Sequence, residues 1–371
     1  MKGFSSWTGA RSEPKYSGTT IQEATISERL TSSTTLGPSA TPPVKAPKRS
    51  RRLATARRAP RAPIAAILKV EPVRHAPEST VDAALGAILG AARHHWTKNE
   101  AAARDGRDIE GVHQVRVGLR RFRSALGLLK KFIPAHQYAW LKSEAKWLLG
   151  ELGQARDSDV FLAELLPSVR KAMGNRRALA ALDRAARTFR DQAQIRARAA
   201  LSSKRYARFM QRLDTWLAGE GWRAARDEAV KDGSHLDARP FATRALDKRL
   251  GKLRSRGKRI DTLPVDDLHR LRIEIKKVRY GIDCFQSILN KRRAGKYAAT
   301  LKGLQDELGH LNDVAMAEAM ATRLAGNAPE KTRAAVVEGG GMVVAHHRRA
   351  AAAAMPDLAR KWRSFRKLDP L

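Results

Sequence analysis

The sequence predicts an all-α fold, and three observations carry this prediction. From Val81 onward, apolar residues recur at three- and four-residue spacing, which is the period of an amphipathic helix. No stretch keeps the apolar–polar alternation that is typical of a strand. Aromatic residues make up only 6% of the chain, while Ala, Leu and Arg are abundant, and this composition favours packed helices. With 371 residues, 43% of them hydrophobic, the chain can bury one large core or two small ones.

Residues 1–78 are predicted to be a disordered tail. Ser17–Thr41 is rich in Ser and Thr, and Pro42–Val70 holds nine Lys or Arg residues, five Pro and no acid. Such a segment cannot bury enough apolar surface to offset the entropy lost on ordering. Two interpretations stay open: a flexible leader with a misassigned start, or a basic arm that contacts DNA or another anion.

Residues 79–371 are predicted to form one helical domain with two halves, about 79–232 and 233–371. The stretch Lys231–Pro240 is polar, contains Gly and Pro, and therefore reads as the connection between the halves.

The net charge of +35 is the strongest compositional signal. Residues 1–80 hold 14 basic and 5 acidic side chains, a net +9, so 35 − 9 = +26 remains for the predicted helical domain. A charge this large attracts anions, so nucleic acid, polyphosphate and anionic membranes are the natural partner classes. No apolar run approaches the length of about 18 residues that a transmembrane helix needs.

An internal repeat appears when the chain is compared with itself at a shift of 156 residues. Two separate blocks align without a gap: the first pairs Val112–Leu129 with Leu268–Phe285, and the second pairs Glu151–Asp157 with Glu307–Asp313. Two blocks in one register predict a duplicated helical unit, with two equivalent halves packed together.

Each copy of the first block carries a row of basic residues. We call His113, Arg116, Arg120 and Arg123 the first row. The second row consists of His269, Arg272, Lys276 and Arg279. The spacing of 3, 4 and 3 residues places each row on one helical face, over an arc of about 80° and a length of roughly 15 Å.

An apolar stripe runs beside each row. In the first copy it is Val115, Leu119, Phe122, Leu126 and Leu129, and in the second Leu271, Ile275, Val278, Ile282 and Phe285. Like charges at these spacings destabilise an isolated helix. A solvated basic face would have no need to keep the pattern in both copies, so the rows are predicted to bind an anion. Arg suits phosphate because its planar fork donates two hydrogen bonds at once.

Other chemistry finds little support in the sequence. Gly339–Gly341 lacks the Lys of a phosphate-binding loop, so a helix break or close packing is expected there. The single cysteine, Cys284, is predicted to be a core residue. His94-His95 and His346-His347 are adjacent pairs, which diverge by about 100° on a helix and cannot easily chelate one ion. Asp157 and Asp313 are expected to make structural ion pairs or turn caps. We therefore expect a non-catalytic protein with no metal and no cofactor.

These motifs resemble the CHAD family, the conserved histidine α-helical domain. The resemblance rests on the paired HxxR helices His113–Arg123 and His269–Arg279, on glycine-containing turns that lead to Asp157 and Asp313, and on the closing segment 358–370. It covers about residues 80–368. The turns differ in one respect, because Arg156 stands where the second copy has Asn312.

The resemblance implies two four-helix bundles related by pseudo-twofold symmetry and the binding of inorganic polyphosphate in a central basic groove. It implies that both rows line this groove, with Lys277, Lys146 and Lys302 as weaker candidates. A stand-alone binder in the cytoplasm, at polyphosphate or storage granules, is expected. The alternative is a nucleoid protein that binds nucleic acid non-specifically through the basic tail.

Overall fold

The computed structural model describes residues 65–223 and 235–371. Within these ranges the chain is helical and has no strands, apart from one isolated bridge between Thr80 and Asp237, and this confirms the all-α prediction. The predictions for residues 1–64 and for residues 231–234, the first part of the connection at Lys231–Pro240, lie outside the described residues. No helix in the described ranges is long and apolar enough to span a membrane.

The helices are numbered here in chain order. They are α1 (Val81–Lys98), α2 (Glu100–Asp105), α3 (Ile109–Leu128), α4 (Ala135–Glu151), α5 (Gly153–Val160), α6 (Leu166–Met173), α7 (Arg177–Leu201), α8 (Lys204–Ala218), α9 (Ala238–Arg256), α10 (Val265–Phe285), α11 (Lys291–Asn327) and α12 (Glu330–Arg366). A short π-helical turn, Phe161–Leu165, joins α5 to α6. The duplication and the two symmetric bundles stay a prediction.

Helices α3 and α10 carry the two rows, and both form where the sequence analysis expects them. Asp108 caps α3 by accepting a hydrogen bond from the Glu110 amide, and two acids in the first turn of α10 complement its dipole. All ten residues of the predicted apolar stripes are buried, as is Cys284. These predictions are confirmed.

The two row-bearing helices pack against each other. An ion pair crosses their contact: Arg121 on α3 lies 3.2 Å from Asp283 on α10. Since each helix turns its apolar stripe into the core, the basic residues next to the stripes are drawn to the edge of the same contact.

The structure differs from the prediction at the end of the tail. Residues 65–78 are not helical, but they lie against the domain. The Leu68 amide donates to Asn99 Oδ1 at 3.0 Å, the His75 amide donates to Ser287 Oγ at 2.8 Å, and Val73 is buried. The predicted disordered tail therefore extends too far, to residue 78. Its low hydrophobicity favoured disorder, but hydrogen bonds from its backbone to Asn99 and Ser287 hold residues 65–78 against the domain.

Two glycine predictions have different outcomes. At Gly339 the expectation of close packing is confirmed, because a Cβ there would lie 2.5 Å from the carbonyl oxygen of Ala178 on α7, while α12 continues unbroken. The predicted glycine-containing turns differ between the two copies. In the first copy a turn at Leu152 separates the end of α4 at Glu151 from the start of α5 at Gly153. In the second copy the prediction is wrong, because Gly309 lies inside α11. Neither Asp157 nor Asp313 therefore caps a turn, since both are within helices.

Candidate anion-binding site

The first row lies along α3 in a half-buried position, with all four side chains partly covered. Arg116 Nη1 donates a hydrogen bond to the carbonyl oxygen of Leu149 at 2.5 Å. Leu149 is in the last turn of α4, where carbonyl groups carry the negative end of the helix dipole. This contact fixes the direction of the guanidinium without neutralising its charge.

The second row lies along α10 and uses side-chain partners instead. Arg272 Nη1 donates to Asn312 Oδ1 at 3.1 Å, and Arg279 Nη1 donates to Gln305 Oε1 at 2.9 Å. Both acceptors are neutral amides on α11, so the two guanidinium charges remain available. Lys276 is half-buried, whereas His269 is exposed.

The two rows face each other, and their charges repel across the contact between α3 and α10. Burial, followed by the charges of Arg272 and Arg120, lowers the pKa of Lys276 to about 7. Burial is also the main reason why the pKa of Arg272 is lowered, and Arg120 adds to this effect. Because Arg120 belongs to the first row, the structure brings the two rows into one electrostatic cluster.

The buried end of this cluster surrounds His113. Burial lowers the pKa of His113 to about 4, with the charge of Arg156 as the next cause, so the imidazole is neutral at neutral pH. Burial likewise lowers the pKa of Arg116 to about 10, assisted by Arg120. These shifts show that the cluster disfavours added positive charge and would be stabilised by an anion.

Several donor atoms in the cluster are buried without a hydrogen-bond partner. They are Nδ1 of His113, which is a donor in one tautomer, Nη1 of Arg156, and Nε of Arg116, Arg120, Arg123 and Arg272. Leaving a buried polar group unpaired costs about 1–3 kcal/mol. Four of these atoms belong to the first row, one to the second row and one to Arg156 on α5. Together they form an arrangement that oxyanions can satisfy, because guanidinium groups donate in a fixed fork.

Comparison with known proteins decides the family. The sequence profile described as CHAD domain matches residues 87–322, which is more than half of the chain. The chain belongs to the CHAD domain family. No curated protein matches it.

Two solved structures share the fold of this CHAD domain protein. The crystal structure of the CHAD domain from the plant Ricinus communis has a TM-score of 0.70 and 27% identity, and the match covers 82% of this chain and 98% of that one. PptA from Streptomyces chartreusis has a TM-score of 0.58 and 19% identity, covering 77% of this chain and 100% of that one. At 19% identity the second likeness supports the fold alone.

One residue of the CHAD cluster was missed from the sequence. Arg156 on α5 lies near His113 and Arg116, and its Nη1 is one of the unpartnered donors. The search for repeated positions passed over it because its counterpart in the second copy is Asn312. A search for arginines one residue before the repeated aspartates would have found it.

Each repeated aspartate lies close enough to an arginine of a row to interact with its charge. Burial raises the pKa of Asp157, while Arg116 and Arg323 oppose this shift. Burial also raises the pKa of Asp313, which is opposed by His347, His310 and Arg272. Each row thus has an arginine near one half-buried carboxylate, which helps to hold the arginine without saturating its five donors.

The weaker candidates take no part in the facing cluster. Lys277 Nζ lies 2.9 Å from Glu274, and Lys302 Nζ lies 2.8 Å from Asp306, so both charges are neutralised locally. Lys146 is exposed on α4. In the described part of the chain, no three His, Cys, Asp or Glu side chains are grouped closely enough to hold a metal ion.

Proposed function

We propose that this CHAD domain protein binds inorganic polyphosphate between the two facing rows. The observation that carries the proposal is the set of buried, unpartnered donors on Arg116, Arg120, Arg123 and Arg272 within a cluster of like charge. A phosphate chain would supply acceptors to these donors and would remove the repulsion that lowers the pKa of Lys276.

A linear polyanion fits the rows better than a single phosphate. Each row extends for roughly 15 Å along its helix, so successive phosphates can meet successive basic residues. Neither row contains Trp, Tyr or Phe, the rings on which bases stack best. This favours a ligand that presents repeated phosphates and nothing else.

The proposal assigns a binding role without catalysis. A non-catalytic binder in the cytoplasm would be carried by polyphosphate to the granules in which the polymer accumulates. Its role would then be to stay bound to polyphosphate, without changing the polymer chemically. Incubation of the protein with polyphosphate should leave the chain-length distribution unchanged on a gel, and any shortening would contradict the non-catalytic role.

A competition titration tests the ligand. The full chain is incubated with labelled long-chain polyphosphate at about 0.15 M salt, and duplex DNA of equal phosphate concentration is added as competitor. We expect DNA to displace polyphosphate poorly. Equal displacement by DNA would show that the charge attracts polyanions in general, and the proposal would fail.

Matched variants test the place of binding. Arg116→Ala with Arg272→Ala removes one cation from each row, whereas Arg184→Ala with Arg363→Ala removes two exposed cations elsewhere. The net charge is the same in both variants. The row variant should lose most of its polyphosphate affinity and the surface variant should keep it.

A further inference from the structure

A second basic surface lies on α4 and α8, away from both rows. The Arg205 guanidinium carbon is 4.2 Å from the centroid of the Trp147 ring, and that of Arg212 is 4.2 Å from the Trp140 ring. The two tryptophans are seven residues apart on α4, as the two arginines are on α8. The pairs therefore repeat along one face at a rise of about 10 Å.

The Arg205 guanidinium and the Trp140 ring each have a further partner that holds them in place. Arg205 donates to both oxygens of Glu144, at 2.9 and 3.0 Å, which fixes the plane of its fork. The Trp140 ring packs edge-on against the buried Phe209 at 6.1 Å. The indoles are thus half-buried supports, while Arg205 and Arg212 are exposed.

The surface is positive beyond these two arginine–tryptophan pairs. The other exposed lysines and arginines of α4 and α8 are Lys142, Lys146, Lys204 and Arg208. The acids of the two helices are Glu144, which is bound to Arg205, Glu151, and Asp214, which pairs with Arg93. An anionic partner is therefore favoured, and the flat guanidinium groups add a feature that simple charge attraction does not need.

We propose that this surface binds single-stranded nucleic acid. Unpaired bases stack on arginine planes and on aromatic rings, and phosphates are neutralised by neighbouring lysines. Here the guanidinium carbons of Arg205 and Arg212 each lie 4.2 Å from an indole centroid, so both cations are held beside a ring before the ligand arrives. This activity is separate from polyphosphate binding, because no residue of the two rows belongs to the surface.

The decisive variant keeps the charge and removes the plane. Arg205→Lys with Arg212→Lys leaves the net charge unchanged but abolishes the guanidinium platforms. Arg208→Lys, on the same helix and outside the stacked pairs, is the matched control. Binding of fluorescein-labelled oligothymidylate to the full chain is measured by anisotropy, beside a strand of equal length in which the bases are absent.

We expect the double variant to bind oligothymidylate about tenfold more weakly, while Arg208→Lys and the affinity for the strand without bases do not change. The proposal is overturned if the double variant binds like the wild type, or if the strand without bases binds as tightly as oligothymidylate. Circular dichroism of each variant confirms that the helices are intact.

The row variant separates this inference from the proposed function. Arg116→Ala with Arg272→Ala should leave oligothymidylate binding unchanged. A parallel loss of oligothymidylate affinity would place the strand in the rows and would overturn the second surface, whatever the result with polyphosphate.

Discussion

On α3 the histidine of the row is half-buried and its pKa is lowered to about 4, whereas the matching histidine on α10 is exposed. The arginines differ in the same direction. Arg116 donates to a backbone carbonyl of α4, while Arg272 donates to the flexible side chain of Asn312. The same residue pattern thus lies in a less solvated setting in the first row than in the second.

This difference indicates that residues at matching positions of the two rows need not contribute equally to anion affinity. An ion contact strengthens as water is excluded around it, because the local dielectric falls. The first row should therefore hold the anion most tightly, and the second row should complete the contact from the more solvated side.

The largest expected effect is the contrast between the two repeated arginines. Arg116→Ala should weaken polyphosphate binding by roughly tenfold to a hundredfold, which corresponds to the loss of a charged hydrogen bond, and Arg272→Ala should cost clearly less. Titration calorimetry of the single variants at one salt concentration measures both. An equal or larger loss for Arg272→Ala would show that the more buried row does not contribute more to polyphosphate affinity.

A pH dependence should follow from Lys276, which faces Arg120 and Arg116 from α3 and Arg272 and Arg279 on its own helix. Its pKa of about 7 is raised when a polyanion binds, so binding takes up a proton. Affinity should therefore fall, by up to about tenfold, as the pH rises from about 6 to 8.5. Lys276→Met should flatten this profile, and an unchanged profile would contradict the assignment.

The same lysine should cost stability in the free protein. Because its pKa is lowered on folding, the unfolded chain holds the proton more tightly, and the penalty is full below about pH 7 and is relieved as the pH rises above it. Lys276→Met should therefore stabilise the fold by about 1–2 kcal/mol near pH 6, and less near pH 9. Thermal unfolding at both pH values measures this, with Lys277→Met as the control in the adjacent position.

The smallest effects are expected at the two histidines. His113 is neutral at neutral pH and can only offer a hydrogen bond, which Gln can replace, so His113→Gln should change polyphosphate affinity by less than about threefold. His269→Gln should change the affinity even less, because the His269 ring is exposed and water competes with the ligand for its hydrogen bonds. A larger loss of affinity for His269→Gln than for His113→Gln would contradict the expectation that the first row contributes more to binding than the second.

The sequence predicted the parts of the fold that depend on local pattern. The two apolar stripes and the start of the first helix at Val81 follow from helical periodicity, and the structure confirms them. The turn before Asp313 was predicted wrongly, because Gly309 is tolerated inside a long helix that tertiary packing stabilises. The segment at residues 65–78 was assigned to disorder because its partners, such as Asn99, are distant in sequence.

The candidate site shows the same limit. Repetition located the rows, but it could not show that Arg120 and Lys276 share one electrostatic cluster, which depends on the packing of α3 against α10. It also passed over Arg156, whose role depends on its distance from His113. The stacked pairs of Trp140 and Trp147 need the register of α4 against α8, which no single helix encodes.

The most direct test of the central claim is the salt dependence of polyphosphate affinity. Each phosphate contact that releases a counterion adds about 0.7 to the slope of log affinity against log salt, by analogy with single-stranded nucleic acid. The row variant, Arg116→Ala with Arg272→Ala, should show a slope shallower by about one to two, and the surface variant, Arg184→Ala with Arg363→Ala, should keep the wild-type slope. Equal slopes for the wild type and the row variant would mean that no phosphate contacts the rows.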